Sequence, residues 1–210
     1  MVIDPAVIKP AIESYNRIAL SASYHVSYHL PALYGMDSIW QFQENISGII
    51  VMGSAASVHD GHKWQDDITD LLLESFDKSI PVMGICYGHQ LLAHICGGRV
   101  GPLWNGKKEQ GQRKVSVMEN SLWGKARNGQ MIYSHQDGVT QCPDDFEITA
   151  VSDMVSVEGF VSKTKPIWGF QTHIEATQAF IDNHNIPIAN QQETFAFGHQ
   201  ILDSFILSLA

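Results

Sequence analysis

Cys86 stands in PVMGICYGHQLLAHICGG, where an apolar run ends at a Gly-x-Cys-x-Gly turn and a helical pattern begins. A thiol at a strand-to-helix corner meets the free N–H groups of the helix start, which favour its thiolate, and the corner is expected to leave the sulfur exposed. That is the setting of a nucleophile. Such a nucleophile needs a base and a group to orient the base, and both can come from distant sequence. WGFQTHIEA supplies the types: His173 follows an expected strand at 167–171, and the Glu175 carboxylate lies two residues on. Open α/β sheets build their sites at that end of their strands. The expected chemistry is nucleophilic catalysis by the Cys86 sulfur, with His173 as the base and Glu175 orienting the imidazole and stabilising its charged form. Cys96, near a helix end, and Cys142, in a QCPDD turn, read as small buried residues.

The elements that must hold these groups follow from periodicity. Residues 1–4 read as a first strand and 6–20 as helical through Ile8, Ile12, Tyr15 and Ala19, regular only from near Pro10 because proline disrupts a helix interior. Residues 24–30 read as a strand ending at Pro31. A buried strand at 48–52 empties into the small-residue loop GSAAS, and a helix at 66–76 leads to a strand at 80–85. The helix at 88–95 stops at Gly97-Gly98. Short strands are expected at 115–118, 131–133, 146–151, 157–161 and 167–171, then an amphipathic helix at 193–209. The pattern predicts an α/β fold with a mostly parallel central sheet, helices on both faces and antiparallel strands in the second half. Residues 1–210 read as a single domain with a C-terminal helical extension around 193–209, whose docking face is either this core or another subunit.

Composition limits the partners. Thirteen basic against 22 acidic residues give a formal charge of −9, and the pairs at 107–108 and 113–114 are too little for a nucleic-acid face. With 44% hydrophobic and 17% charged residues the chain suits a packed core and leaves a surface that could bury against a partner, a second copy included. Three cysteines make neither a paired disulfide framework nor a thiolate metal set. His25, His29, His59 and His62 lack a third ligand at useful spacing, so no metal and no cofactor are expected. His89 reads as a packing or hydrogen-bonding residue rather than the base. Trp64, Trp104 and Trp123 fall in apparent loops. The start lacks a basic head with an apolar stretch and no run approaches a membrane span, so the expected location is the cytoplasm, away from membranes.

GICYGHQLLAHICGGRVG closely resembles the nucleophile region of class I glutamine amidotransferases, and GFQTHIEA resembles their late histidine and glutamate segment. GIIVMGSAASVHD resembles the family's glycine loop, KKEQGQRKV its middle segment and IYSHQDGVTQCP the loop before the final strands. The resemblance covers most of residues 1–176 and is greatest to free-standing proteins similar to the amidotransferase domain of GMP synthase. It implies a flavodoxin-like three-layer sandwich and hydrolysis of the glutamine side-chain amide. Cys86 would form a thioester, His173 would protonate the departing ammonia, and Glu175 would hold His173. Backbone N–H groups near Ser54 and on Tyr87 would receive the oxyanion, and Gly53, Gln90, Ser134, His135 and Asp137 would border the glutamine pocket. An ammonia-accepting synthase subunit is the implied partner. Gly53-Ser54-Ala55 departs from the more usual Gly-Gly-Pro, Ile174 from a common proline and Thr172 from a frequent aromatic residue. The same thioester chemistry admits a γ-glutamyl amide or peptide as substrate, and a non-catalytic binding or regulatory module of this fold is the third reading.

Overall fold

The computed structural model describes residues 1–189 and 191–209, with no side-chain description at Gln191 and Gln192. The first strand, β1 (Val2–Ile3), precedes α1 (Ile12–Ser21), β2 (Tyr28–His29) and two single turns of helix, α2 (Pro31–Tyr34) and α3 (Asp37–Trp40). Then come β3 (Ile49–Val51), α4 (Lys63–Asp77), β4 (Val82–Ile85) and α5 (Tyr87–Ile95). The second half is built from β5 (Arg99–Pro102), β6 (Glu109–Val117), β7 (Arg127–His135), β8 (Asp137–Gln141), β9 (Phe146–Val151), β10 (Gly159–Ser162) and β11 (Ile167–Phe170). Helices α6 (Gln178–His184) and α7 (Gln191–Ser208) finish the chain.

Nine strands form one sheet in the order β2-β1-β3-β4-β11-β10-β9-β6-β7, while β5 and β8 make a separate antiparallel pair. From β2 to β11 the pairings are parallel; from β11 to β7 they are antiparallel. The central parallel strands β1, β3 and β4 are apolar runs because both faces are covered. Ile3, Ile49, Val51 and Val82 pack with Ile68, Leu72, Leu91 and Leu92 of α4 and α5. Their alternate neighbours Val2, Ile50, Met83 and Ile85 pack with Ile18, Ile201, Leu202 and Phe205 of α1 and α7. This is the three-layer α/β arrangement the sequence predicts, and α7 docks on this core. No helix among the described residues is long and apolar enough to cross a membrane.

Several expected elements are shorter or displaced. Residues 6–11 are not helical, because the Asp4 carboxylate accepts the N–H groups of Ala6 (3.1 Å) and Ala11 (2.8 Å) and so ties the segment into a loop. The strand expected at 24–30 pairs only at Tyr28–His29; Tyr24 and Val26 are instead engaged by side-chain hydrogen bonds, Tyr24 Oη donating to Ile206 O and Tyr15 Oη to Val26 O. Trp64 lies in the first turn of α4 rather than a loop, and Trp123 is buried against Phe170.

The two glycines flanking Cys86 are explained by packing. A Cβ on Gly88 would stand 2.2 Å from Val51 O, and one on Gly84 would stand 2.5 Å from the Gly88 backbone. Hydrogen at both positions lets α5 press onto β3 and β4. Gly88→Ala is therefore expected to destabilise the protein by about 1–3 kcal/mol through overpacking against backbone that cannot retreat. Urea unfolding checks this: a midpoint equal to wild type would contradict the packing argument.

Candidate active site

The strands adjacent at the centre of the sheet, β1, β3, β4 and β11, all end at the same edge, and the residues just past their ends converge there. These are Asp4, Gly53 and Ser54, Cys86, and His173. Cys86 turns the chain from β4 into α5 with φ 51° and ψ −99°. Such a conformation costs a non-glycine residue on the order of 1–3 kcal/mol, so the surroundings must enforce it. They do so through the backbone: Cys86 N–H donates to Phe170 O (2.8 Å), Gly88 N–H to Met52 O (3.2 Å) and Gln90 N–H to Cys86 O (3.0 Å). The thiol thereby sits at the N-terminus of α5, where the helix dipole favours negative charge. Against expectation the residue is only 4% exposed, since the neighbouring strand ends and the His173 ring close over it. Access comes through a cavity of about 280 Å³ that Cys86 lines with Ser54, Gln90, Ser134 and Asp137.

His173 Nδ1 lies 2.9 Å from Glu175 Oε1, and the other ring nitrogen is left on the side of Cys86, whose Cβ and the ring's Cε1 both stand beside Gly53. Both members of the His–Glu pair are buried. Burial alone would lower the imidazole pKa, but the Glu175 carboxylate and the Cys86 sulfur, by charge and by hydrogen bond, push it up to about 10. The ring is backed by Phe180 of α6 at a centroid distance of 4.3 Å. Gly53 completes the fit: a Cβ there would stand 2.7 Å from His173 Cε1. Gly53→Ala should displace the imidazole, and a displacement near 1 Å lowers turnover on the order of 100-fold. Steady-state kinetics of a folded Gly53→Ala protein would show this; an unchanged kcat would mean the ring does not need its present position.

Ser54 and Tyr87 lie on either side of the Cys86 corner. As the first residue of α5, Tyr87 has no intrahelical acceptor for its N–H. The Ser54 hydroxyl donates to Pro5 O (2.6 Å) and accepts from Ala56 N–H (3.1 Å), so a side chain pins the loop in which the family's usual pattern has Gly-Pro. The Tyr87 ring is buried, its hydroxyl accepts from Gln65 Nε2 (3.0 Å), and burial pushes its pKa up to about 12.

The opposite wall is a buried polar network. Gln90 Nε2 donates to Asp137 O (2.7 Å) and to Gln171 Oε1 (3.3 Å). His135 Nδ1 meets the same Asp137 carbonyl at 2.8 Å, so that nitrogen carries the proton, and its Nε2 accepts from Arg113 Nη2 at 3.0 Å. Arg113 in turn donates to Glu158 Oε2 (2.6 Å). Burial and the Arg113 charge lower the His135 pKa to about 3, which keeps it neutral and unsuited to act as the base. The Asp137 carboxylate accepts from Ser57 Oγ (3.3 Å). Ser134 Oγ is buried at the cavity wall with no hydrogen-bond partner among the described residues.

The structure thus gathers Cys86, His173, Glu175, Gly53, Ser54, Tyr87, Gln90, Ser134, His135 and Asp137 around one edge of the sheet. Other singled-out residues lie apart. His29 is held between Ser38 and Ser27, and His59 Nε2 contacts Val100 O. His89 is buried and stacked on Phe160 at 4.3 Å, and burial drops its pKa to about 3. Cys96 and Cys142 pack at the edge of the α4/α5 core, where burial pushes both thiols up to about 11. No group of three or more His, Cys, Asp or Glu among the described residues could hold a metal ion.

Sequence reasoning missed the Arg113–Glu158 pair, Lys108 at the cavity rim and Phe180 behind His173. Arg113 had a signal: it occupies an inward position of the alternating strand β6, where Gly111, Val115 and Val117 also point inward. Phe180 had a weaker one, a threonine at 177 that caps α6 by accepting from Phe180 N–H.

Comparison with known proteins gives concordant findings. A family model described as glutamine amidotransferase class-I matches residues 12–187. The chain is 38% identical over 135 residues to a GMP synthase (glutamine-hydrolyzing) of Ligilactobacillus salivarius, covering 62% of this chain and 25% of that protein. It is 32% identical over 168 residues to the protein of that name from Borreliella burgdorferi, covering 79% and 28%. The chain spans about a quarter of the length of the curated relatives it matches. Among solved structures, a glutamine amidotransferase from Methylobacillus flagellatus superposes with a TM-score of 0.77 at 17% identity, over 99% of this chain and 92% of that one. A glutamine amidotransferase from Thermotoga maritima gives 0.73 at 18% identity, over 100% and 97%. At those identities the likeness is one of fold.

Proposed function

The chain belongs to the class I glutamine amidotransferase family, and from that premise we propose that residues 1–210 form a single domain that hydrolyses the side-chain amide of glutamine through a thioester on Cys86. The observation that carries the reading is the strained Cys86 corner, beside an imidazole that Glu175 holds from behind, at the wall of a cavity.

In the proposed reaction the Cys86 thiolate adds to the amide carbon, and the tetrahedral oxyanion points at the N–H groups of Ser54 and Tyr87. The C–N bond breaks as His173, protonated through neutral pH, gives its proton to the departing nitrogen. Water, deprotonated by the now neutral His173, cleaves the thioester to glutamate and regenerates the thiolate. The 280 Å³ cavity takes the glutamyl portion, with Ser54 and Gln90 bordering it and Gly53 just behind, on the side of His173. Its acidic side chains, Asp60 and Asp137, suit the α-ammonium group; the backbone at Ser134 and His135 and the charge of Lys108 suit the α-carboxylate. The ammonia would feed a separate acceptor, an assignment supported by the name and greater length of the GMP synthase relatives.

A γ-diazoketone analogue of glutamine tests the assignment. Peptide mass analysis is expected to find the analogue on Cys86, with Cys96 and Cys142 unmodified. Equal labelling of all three thiols, or protection of Cys86, would overturn it.

A further inference from the structure

Cys86 and His173 stand side by side at Gly53 yet line different cavities. The one that Cys86 lines is polar and holds about 280 Å³; the one that His173 lines holds about 390 Å³. They meet at Ser54, Ala55, Lys108 and Ser134. An amide undergoing thiolysis has its acyl carbon at the sulfur and its nitrogen at the general acid, so whatever the nitrogen carries must project into the second cavity. Ammonia has no substituent to put there, and a molecule of its size fills about 30 Å³.

The second cavity is not a polar exit. It runs between the 6–11 loop and α6, and Val7, Ile8, Met52 and Phe180 give it an apolar wall. Ile8 is 83% exposed, a large apolar side chain at the mouth with nothing folded over it. A further 200 Å³ continues outward along Lys9, Pro10, Phe180 and Asn183. Charge on the open side of the 390 Å³ cavity is positive in a chain of net charge −9: Lys9 and Lys108 line it, Lys9 Nζ is steadied by Asn183 Oδ1 at 2.6 Å, and the exposed Glu13 lines only the outward extension. The acidic groups that reach the cavity are buried and already engaged, Asp4 by Tyr28 and the Ala6 and Ala11 N–H groups, Glu175 by His173.

The geometry points to a subsite for a substituted leaving amine, and we propose that its occupant is an α-amino acid with an apolar side chain, so that the enzyme cleaves γ-glutamyl dipeptides of that class. The apolar side chain lies against Ile8 and Phe180, and the free carboxylate faces Lys9, while Lys108 between the two cavities stays with the glutamyl α-carboxylate. The inference rests on the thioester reading of Cys86. The balance is the same: the Cys86–C bond forms, the C–N bond breaks, His173 protonates the nitrogen to release the free amino acid, and water converts the thioester to glutamate.

The test compares kcat/KM for γ-glutamyl-leucine, γ-glutamyl-leucinamide and glutamine, with peptide mass analysis of Cys86 acylation by each. Burial of the leucine side chain should make γ-glutamyl-leucine better than glutamine by on the order of tenfold or more. Masking its carboxylate as the amide should lose about threefold, and Lys9→Met should erase the difference between the acid and its amide. Ile8→Asp should lower the γ-glutamyl-leucine to glutamine ratio by about tenfold. Acylation of Cys86 by glutamine with γ-glutamyl-leucine equal or worse would overturn this inference and leave the glutaminase reading standing. Failure of every compound to acylate Cys86 would remove that reading and this inference with it.

Discussion

Cys86→Ala is expected to reduce release of ammonia from glutamine by on the order of 10⁴-fold or more, because no other thiol or hydroxyl occupies the corner that the Cys86 backbone builds. Cys96 and Cys142 cannot substitute, since burial holds both thiols near 11 and they pack at the edge of the α4/α5 core. The replacement should leave the fold intact, and it relieves none of the backbone strain, as alanine at φ 51° is no easier than cysteine. It also removes one of the supports of the His173 charge, so the imidazole pKa should fall from about 10. An ammonia assay and an NMR titration of the His173 ring on the same variant report the two effects separately. Residual turnover within tenfold of wild type would exclude Cys86 as the nucleophile.

Glu175→Gln comes second. The amide keeps the size of the carboxylate and loses its charge, so His173 is left buried with weaker compensation and titrates lower. Turnover should fall by on the order of 10² to 10⁴-fold as the ring loses its fixed orientation and its hold on the proton. The basic limb of the pH–rate profile, set in the wild type by an imidazole near 10, should move toward neutrality. Stability follows the same sign. A histidine whose folded pKa lies above its unfolded value adds stability that is complete below about 6.5 and is lost as pH rises through about 10. Wild type should therefore lose stability across that window, and Glu175→Gln should lose less. Urea midpoints at pH 7 and pH 10 for the two proteins measure the difference; parallel behaviour would mean that Glu175 does not hold the charge on His173.

Much of the site was legible because its chemistry sits at element boundaries. The apolar run into Gly-x-Cys-x-Gly marks a strand that must stop and a helix that must start, and the packing of Gly84 and Gly88 shows why those two positions exclude a side chain. The buried central strands were legible for a related reason: with helices on both faces they carry no polar alternation to confuse them with surface strands. What escaped was set by tertiary contact. The 6–11 segment has helical spacing, but Asp4, just before it, takes two of its N–H groups, and periodicity does not register a side chain competing for backbone. Tyr28 and His29 pair while Tyr24 and Val26 do not, a choice made by contacts to α7 and α1. The depth of Cys86 was misjudged because a turn read in isolation looks exposed, whereas here Gly53 admits the His173 ring over it. The Arg113–Glu158–His135 chain joins β6, β7 and the β9–β10 connection, partners that only the strand order brings together.

The departures from the family's usual glycine loop have a physical reading in the same terms. Ser54 supplies through its hydroxyl two hydrogen bonds that fix the loop, Thr172 donates to Met131 Sδ at 3.0 Å, and Ile174 is fully buried in the α1/α7 core. Each replacement is absorbed by a specific partner and leaves the Cys86–His173 approach unobstructed.

The account rests on a covalent bond between the Cys86 sulfur and the γ-carboxamide carbon of the substrate. Rapid acid quenching of the wild-type protein during turnover of glutamine, followed by peptide mass analysis, tests it most directly. The prediction is one γ-glutamyl group on the peptide carrying Cys86, absent from Cys86→Ala. Ammonia release with Cys86 unmodified at every quench time, or the group found on Cys96 or Cys142, would contradict it.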